Sequence, residues 1–144
     1  MSSNDLWELR QQALNTCKIG DLTSYKEAKV EPSMDHMDAA IENGHLEIAE
    51  YLASLGTKGS ESGVIKAVCN HHLNTVVFAV ERGYPITSAV LDCAAIRGHF
   101  DIMGYFLSLR KKLRFSRTAV TGAQAAFRDD VVAWLRKNTP YLFK

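Results

Sequence analysis

The chain has 144 residues, of which 47% are hydrophobic, and its 17 Lys and Arg against 16 Asp and Glu give a net charge of +1. This length and composition are ordinary for one soluble globular domain, and no stretch approaches the roughly 18 consecutive apolar residues that a membrane span requires. The N-terminus lacks the basic and apolar regions of a signal peptide, so we expect an intracellular, cytoplasmic location.

Three segments of the chain repeat one pattern at a spacing of 27 residues. The segment AIENGHLEIAEYLASLG (40–56) aligns without gaps with AVCNHHLNTVVFAVERG (67–83) and AAIRGHFDIMGYFLSLR (94–110). The matching columns hold Ala40, Ala67 and Ala94, then His45, His72 and His99, then the aromatic residues Tyr51, Phe78 and Tyr105. A fixed period of roughly 20–50 residues indicates stacked repeats.

In chain order we predict about five repeats within a single domain, residues 1–144. They are an N-terminal cap at 4–33, repeats at 34–60, 61–87 and 88–116, and a C-terminal cap at 117–144. The last step is 29 residues long and places Ala123 in the alanine column and Trp134 in the aromatic column. The two outer repeats are atypical because each has only one neighbour to pack against.

Each repeat is predicted to be a helical hairpin. In the second repeat a first helix spans about 36–43, and Gly44 follows it, where glycine adopts the left-handed conformation without steric cost. A second helix begins near Leu46, and its apolar face extends to Leu55. Small alanines let neighbouring first helices approach closely, and the aromatic column is expected to fill the gap between layers.

Two residues depart from the glycine column, since His71 and Phe127 stand where Gly44 and Gly98 are expected. A side chain there either has a positive φ at a cost of about 1–3 kcal/mol or requires a different turn. We therefore expect the last repeat to be locally rearranged.

The repeats resemble the ankyrin repeat family, whose core reads roughly AAxxGHLEIVxxLLxxG, and the resemblance covers about residues 5–137. The family's threonine-proline-leucine-histidine opening is replaced by DHMD (35–38), SGVI (62–65), AVLD (89–92) and TAVT (118–121), so its hydrogen-bonding corner is absent or altered. The spacing is also shorter than the family's usual period of about 33 residues, which predicts short loops in place of long β-hairpin fingers. This pattern looks like the divergent ankyrin arrays of protists and large DNA viruses.

The resemblance implies an all-α, helical-hairpin solenoid that acts as an adaptor or scaffold and binds a protein through its concave face and loop tips. Carried over by column, the candidate protein-binding residues are Met34, Glu42, Asn43, Glu61, Cys69, Asn70, Ser88, Ile96, Arg97 and Arg117. Met34 and Ile96 are apolar, and we expect both to be exposed and to contribute most to binding.

Charge is distributed unevenly along the chain. Residues 1–96 hold 7 Lys and Arg against 13 Asp and Glu, whereas residues 97–144 hold 10 against 3. The segment 110–117 contains a basic patch of Arg110, Lys111, Lys112, Arg114 and Arg117. The patch is either a solvated loop or, as an alternative function, a binding site for nucleic acid or another acidic surface. The asymmetry also allows weak head-to-tail self-association.

Catalysis and metal binding are not predicted. The sequence has no GxSxG, P-loop, HExxH or GxGxxG motif and no CxxC pair. The histidines His45, His72 and His99 recur in a repeat column instead of converging, so we expect them to fix the turn between helices. We therefore predict a non-enzymatic protein with no catalytic residue, no cofactor and no metal site.

Overall fold

The computed structural model describes residues 2–109 and 113–144, and this part of the chain is helical without a β-strand. Its helices follow one another in pairs. They are α1 Ser3–Ile19 and α2 Leu22–Ala28, α3 Met34–Glu42 and α4 Leu46–Ser54, α5 Glu61–Cys69 and α6 Leu73–Glu81, α7 Ser88–Arg97 and α8 Phe100–Ser108, and α9 Arg117–Ala125 and α10 Asp129–Asn138, with a 3-10 helix at Pro140–Phe143. Within the described ranges, no helix combines the length and the apolar character needed to traverse a bilayer. The predicted all-α class is confirmed for these residues.

The chain divides into two compact units, residues 1–85 and residues 86–144, here called the N-terminal unit and the C-terminal unit. In the N-terminal unit α3 packs against both α1 and α5, so the first helices of successive pairs lie side by side, and α4 packs against α6. In the C-terminal unit α7 packs against α9. The first helices are therefore neighbours within each unit.

The turn between the two helices of a pair has a defined hydrogen-bond pattern. The N–H of Gly44 donates to the carbonyl of Ile41 at 3.1 Å. The N–H of His45 donates to the carbonyl of Ala40 at 2.9 Å. Gly44 has φ 76°, and His71, which occupies the same column one repeat later, has φ 62°. The predicted left-handed position at the end of the first helix is confirmed.

The last repeat keeps this turn although it has no glycine. Phe127 has φ 57°, and its N–H donates to the carbonyl of Gln124 at 3.1 Å. The N–H of Arg128 donates to the carbonyl of Ala123 at 2.8 Å. The predicted rearrangement of this repeat is therefore wrong, because the hydrogen bonds hold the phenylalanine in the left-handed conformation at a cost of about 1–3 kcal/mol.

An aspartate in one first helix links to the serine that precedes the next first helix, and we call this contact the Asp–Ser link. Asp38 in α3 accepts hydrogen bonds from the N–H and the hydroxyl of Ser60, both at 2.7 Å. Asp92 in α7 accepts the N–H of Ser116 at 2.9 Å and also its hydroxyl. Ser60 and Ser116 occupy the N-cap positions of α5 and α9. The Asp–Ser link therefore connects one first helix to the beginning of the next at two places in the chain.

The alanine column forms part of the core of each unit. Its four members have no exposed surface, and they are Ala40, Ala67, Ala94 and Ala123. In the aromatic column only Phe78 is buried, whereas Tyr51, Tyr105 and Trp134 remain partly exposed. Tyr51 packs against the ring of Tyr25 and Trp134 against that of Phe115, so the expected packing role is complete for Phe78 and partial for these two residues.

Candidate protein-binding surfaces

The histidine column supports turns. The Nε2 atom of His45 lies 2.8 Å from the carbonyl oxygen of Lys18, and its ring covers Gly20 so closely that a Cβ atom there would be 2.5 Å away. The ring of His72 covers Gly44 in the same way. Glycine is therefore required at these turns for space as well as for its φ angle. The predicted role of the histidines is confirmed for His45 and His72.

Among the described residues, no group of three His, Cys, Asp or Glu side chains is placed to hold a metal ion.

Arg128 takes the place of the histidine in the last repeat. Its guanidinium lies over Gly98, and its Nη1 atom is 3.4 Å from the carbonyl oxygen of Arg97. An ion pair of 3.0 Å with Asp130 orients the guanidinium and holds the pKa of that carboxyl below its usual range. Sequence reasoning missed this role because the residue type changes within the column.

The candidate residues at the ends of α3 and α5 are joined by polar contacts. Glu42 pairs with Lys66 at 3.8 Å, and the side-chain amide of Asn70 donates to the carbonyl of Glu42 at 3.0 Å. The amide of Asn43 bonds back to its own helix. Cys69 is partly buried at the last position of α5. These contacts connect neighbouring repeats and leave the exposed Asn70 as the most accessible of the group.

Met34 lies at the edge of an open cleft of about 700 Å³ in the N-terminal unit. The cleft is lined by the loop before α3 and the loop after α4, with the residues Glu31, Pro32, Ser33, Met34, Leu55, Gly56, Thr57 and Lys58. Met34 and Leu55 are each 51% exposed, and they supply large apolar surface between the charged residues Glu31 and Lys58. The predicted exposure of Met34 is confirmed. We call this feature the Met34–Leu55 cleft.

Leu55 was expected on the buried face of the second helix, and this expectation is wrong. Helix α4 ends at Ser54, and Gly56 follows with φ 85°. The N–H of Thr57 donates back to the carbonyl of Leu52 at 3.0 Å, which closes the turn. Leu55 therefore lies past the end of the helix, where the apolar stripe no longer faces the core.

Ile96 does not have the exposure that the sequence predicted. It is partly buried, and its side chain lies over Gly122 of α9, where a Cβ atom would come within 2.5 Å of the Ile96 Cγ1 atom. Ile96 therefore contributes to packing between α7 and α9. The adjacent Arg97 is exposed.

The remaining candidates lie at the beginnings of first helices. Glu61 is partly buried at the first position of α5. The hydroxyl of Ser88 donates to the carbonyl of Arg114 at 2.7 Å, and the Arg114 guanidinium stacks on the ring of Tyr141 with 5.1 Å to its centroid. Arg117 is exposed at the first position of α9. The other members of the basic patch, Arg110, Lys111 and Lys112, lie outside the described residues.

Phe127 is the most exposed of the large apolar side chains that the structure describes, at 90%. Its backbone is fixed in the left-handed region by the turn hydrogen bonds, and Arg128 anchors the next position to α7. An exposed phenylalanine in a strained conformation is a rare combination, and such strain is concentrated at functional sites. Sequence reasoning found the strain at this position but did not assign a binding role to it.

Another concave surface, of about 430 Å³, lies between α1 and α3 and includes Trp7, which is 63% exposed. His36 contributes to its lining and is itself only 4% exposed. The Nδ1 atom of His36 lies 2.9 Å from the hydroxyl oxygen of Tyr25, and burial lowers the pKa of the imidazole. Neither Trp7 nor His36 belongs to the predicted binding columns, so the repeat pattern gave no indication of this groove.

No protein-family model matches the sequence, and no curated protein matches it. The family resemblance therefore rests on the repeat residues themselves.

Proposed function

We propose that this chain is a non-enzymatic protein-binding module, an adaptor or scaffold built as a solenoid of about five divergent ankyrin-like repeats. The repeated helix pairs support this proposal, because their turns follow the register of the sequence repeat. The side-by-side first helices within each unit support it as well. Arrays of this type present their first helices and loops as one extended binding surface.

The Met34–Leu55 cleft is the observation that carries the proposal. Both side chains leave about half of their surface in water, and full burial of such a residue stabilises by about 1.5–3 kcal/mol. Apolar residues in a concave site with charged residues at the rim have the arrangement of an interface hot spot. Partner side chains that fill the cleft would remove this apolar surface from water while Glu31 and Lys58 stay at the solvated edge.

The other candidate residues predicted from the sequence would supply further contacts to a partner, separately on each unit. On the N-terminal unit these are Glu42, Asn43, Glu61, Cys69 and Asn70. On the C-terminal unit they are Ser88, Arg97 and Arg117, whereas Ile96 belongs to the packing of that unit. Polar rim contacts of this kind contribute to specificity more than to affinity.

Affinity capture from a cell lysate tests the proposal, with the wild type compared with a Met34→Glu, Leu55→Glu double variant. We expect the wild type to retain a protein at about 150 mM and at about 500 mM salt, between which the Debye length falls from about 8 Å to about 4 Å. The double variant should lose that protein. Leu6→Glu is the matched control, because Leu6 is a 40% exposed apolar residue of the same unit that does not line the cleft. Circular dichroism must show that all three proteins remain folded.

The alternative function, binding of nucleic acid or an acidic surface, is favoured by a separate observation. The C-terminal unit holds 10 Lys and Arg against 4 Asp and Glu, and Arg97, Arg114 and Arg117 are exposed on it. If the captured material is nucleic acid or acidic protein, is released at high salt and is indifferent to the cleft variant, the protein-binding proposal is wrong and the alternative replaces it.

A further inference from the structure

We infer that a second copy of this chain is a partner of the Met34–Leu55 cleft, and that Phe127 on the C-terminal unit of one copy inserts into the cleft on the N-terminal unit of the next. This inference rests on the proposed function, because it names an occupant for the same cleft. It is carried by three features: opposite charges on the two units, a fixed and exposed phenylalanine, and an apolar cleft that is open to solvent.

The two units have opposite net charges. The N-terminal unit holds 7 Lys and Arg against 12 Asp and Glu, a net charge of −5. The C-terminal unit holds 10 against 4, a net charge of +6. Two copies therefore attract each other when the C-terminal unit of one approaches the N-terminal unit of the other, and like units repel. Charge therefore favours contacts between unlike units over contacts between like units.

Phe127 is suited to act as the inserted residue. Its ring is 90% exposed, and its backbone is held by hydrogen bonds on both sides of the turn. Arg128 fixes the adjacent position through its contacts with Arg97 and Asp130. Since the turn is already ordered, insertion loses little backbone freedom, and preorganisation of this kind favours affinity. The repeat fold does not require a side chain here, because Gly44 and Gly98 form the same turn.

The cleft offers a matching apolar surface. Its volume of about 700 Å³ lies in the range of sites that bind small ligands, which leaves room for an aromatic side chain. Met34, Leu55 and Pro32 would contact an inserted aromatic ring, and the acidic Glu31 at the rim faces the basic unit that arrives with it. Insertion would bury the exposed apolar surface of both copies at once.

Each copy carries both halves of this interface, so the contact is heterologous. A heterologous contact continues from copy to copy unless its rotation closes a ring. The predicted weak head-to-tail self-association therefore acquires a defined pair of surfaces.

Sedimentation velocity over a range of protein concentrations tests the inference. The wild type should show an average mass that rises with concentration and falls when salt is raised. Phe127→Gly alone and the Met34→Glu, Leu55→Glu variant alone should each stay monomeric. An equimolar mixture of these two variants should form a one-to-one dimer that grows no further, because each lacks a different half of the interface. Leu107→Ala, which removes an apolar residue 38% exposed in the C-terminal unit, should associate like the wild type.

Several outcomes would overturn the inference. A wild type that is monomeric at every concentration, a Phe127→Gly variant that associates like the wild type, or a mixture that stays monomeric would each do so. These outcomes would not overturn the proposed function, since the cleft could still retain a different protein in the capture experiment.

Discussion

The two units protect the same kind of turn with different chemistry. In the N-terminal unit an imidazole, that of His72, covers Gly44, and in the C-terminal unit a guanidinium, that of Arg128, covers Gly98. Both groups are flat and polar, and each comes from the repeat that follows the glycine. The difference shows that a guanidinium can take the place of an imidazole over this turn.

A second comparison concerns the turn position itself, where each unit has glycine in at least one turn and a larger residue in another. Gly44 adopts its φ of 76° without strain, whereas Phe127 adopts φ 57° with a side chain attached. The hydrogen bonds are nearly identical in length in the two turns. The surrounding repeat therefore imposes the turn, and the residue at its centre decides only how much strain the turn contains.

The largest effect is expected from breaking the covered turn. Gly44→Ala should lower the free energy of unfolding by about 2–4 kcal/mol, because the new methyl group is both in a left-handed conformation and in contact with the His72 ring. Gly83→Ala is the control, since Gly83 has φ 75° but nothing within 4 Å of the added atom. It should cost only about 1 kcal/mol. Urea unfolding followed by circular dichroism measures both, and equal losses would show that the histidine cover is not a packing constraint.

The aspartate of the Asp–Ser link is more deeply buried in the C-terminal unit than in the N-terminal unit. Asp92→Ala should destabilise the C-terminal unit by about 2 kcal/mol, because it leaves the N–H and the hydroxyl of Ser116 without their charged acceptor. Asp38→Ala should cost less, about 1 kcal/mol, because Asp38 is only partly buried and water can replace it at Ser60. Denaturant unfolding of each variant measures the difference. A larger loss for Asp38→Ala would contradict the role assigned to burial.

Removing the strain in the last turn should stabilise the protein. Phe127→Gly is expected to raise the free energy of unfolding by about 1 kcal/mol, since the exposed ring contributes little packing and glycine adopts the left-handed conformation freely. Phe127→Ala should change it by less than about 0.5 kcal/mol, because alanine keeps the strain. Thermal unfolding monitored through Trp134, in a Trp7→Phe background, reports on the C-terminal unit. A destabilised Phe127→Gly variant would mean that the ring packs against its own unit.

The smallest effect is a pH dependence confined to the N-terminal unit. Burial lowers the pKa of His36 in the folded state, so the unfolded chain binds a proton more readily there. The stability contributed by the neutral imidazole is present above the ordinary histidine pKa of about 6.5 and is lost as the pH falls through it toward the folded value. His36→Gln should weaken this loss of stability on acidification, as measured by urea unfolding at a series of pH values. An unchanged profile would assign the acid sensitivity to other groups, such as His72, whose pKa is lowered mainly by burial.

The repeat period allowed the helices and turns to be predicted because residues at equivalent positions of the repeats pack in the same way. Columns such as Ala40 and Ala67, or Gly20 and Gly44, hold positions that every repeat buries or bends in the same way. The register of the last repeat was also predictable, since the placement of Ala123 in the alanine column agrees with its complete burial.

The contacts that do not recur in every repeat could not be predicted in this way. The Asp–Ser link joins residues 22 positions apart in one unit and 24 in the other, and only alternate repeats supply the aspartate. Ile96 looked like a variable surface residue because its neighbour Gly122, which makes room for it, belongs to a different column. Leu55 continued the apolar spacing of α4 although the helix had already ended. Each error arose where a single pair of residues, and not the period, determines exposure.

The covered glycines also constrain how this gene can change in length. His45 lies over Gly20 and His72 over Gly44, so each of these turns depends on a side chain encoded about one period downstream. A duplication or deletion of one whole repeat keeps the spacing between each glycine and the side chain that covers it. An insertion or deletion of another length between the two changes this spacing and removes the contact. The glycine of one repeat and the covering side chain of the next therefore have to keep a nearly fixed separation along the chain.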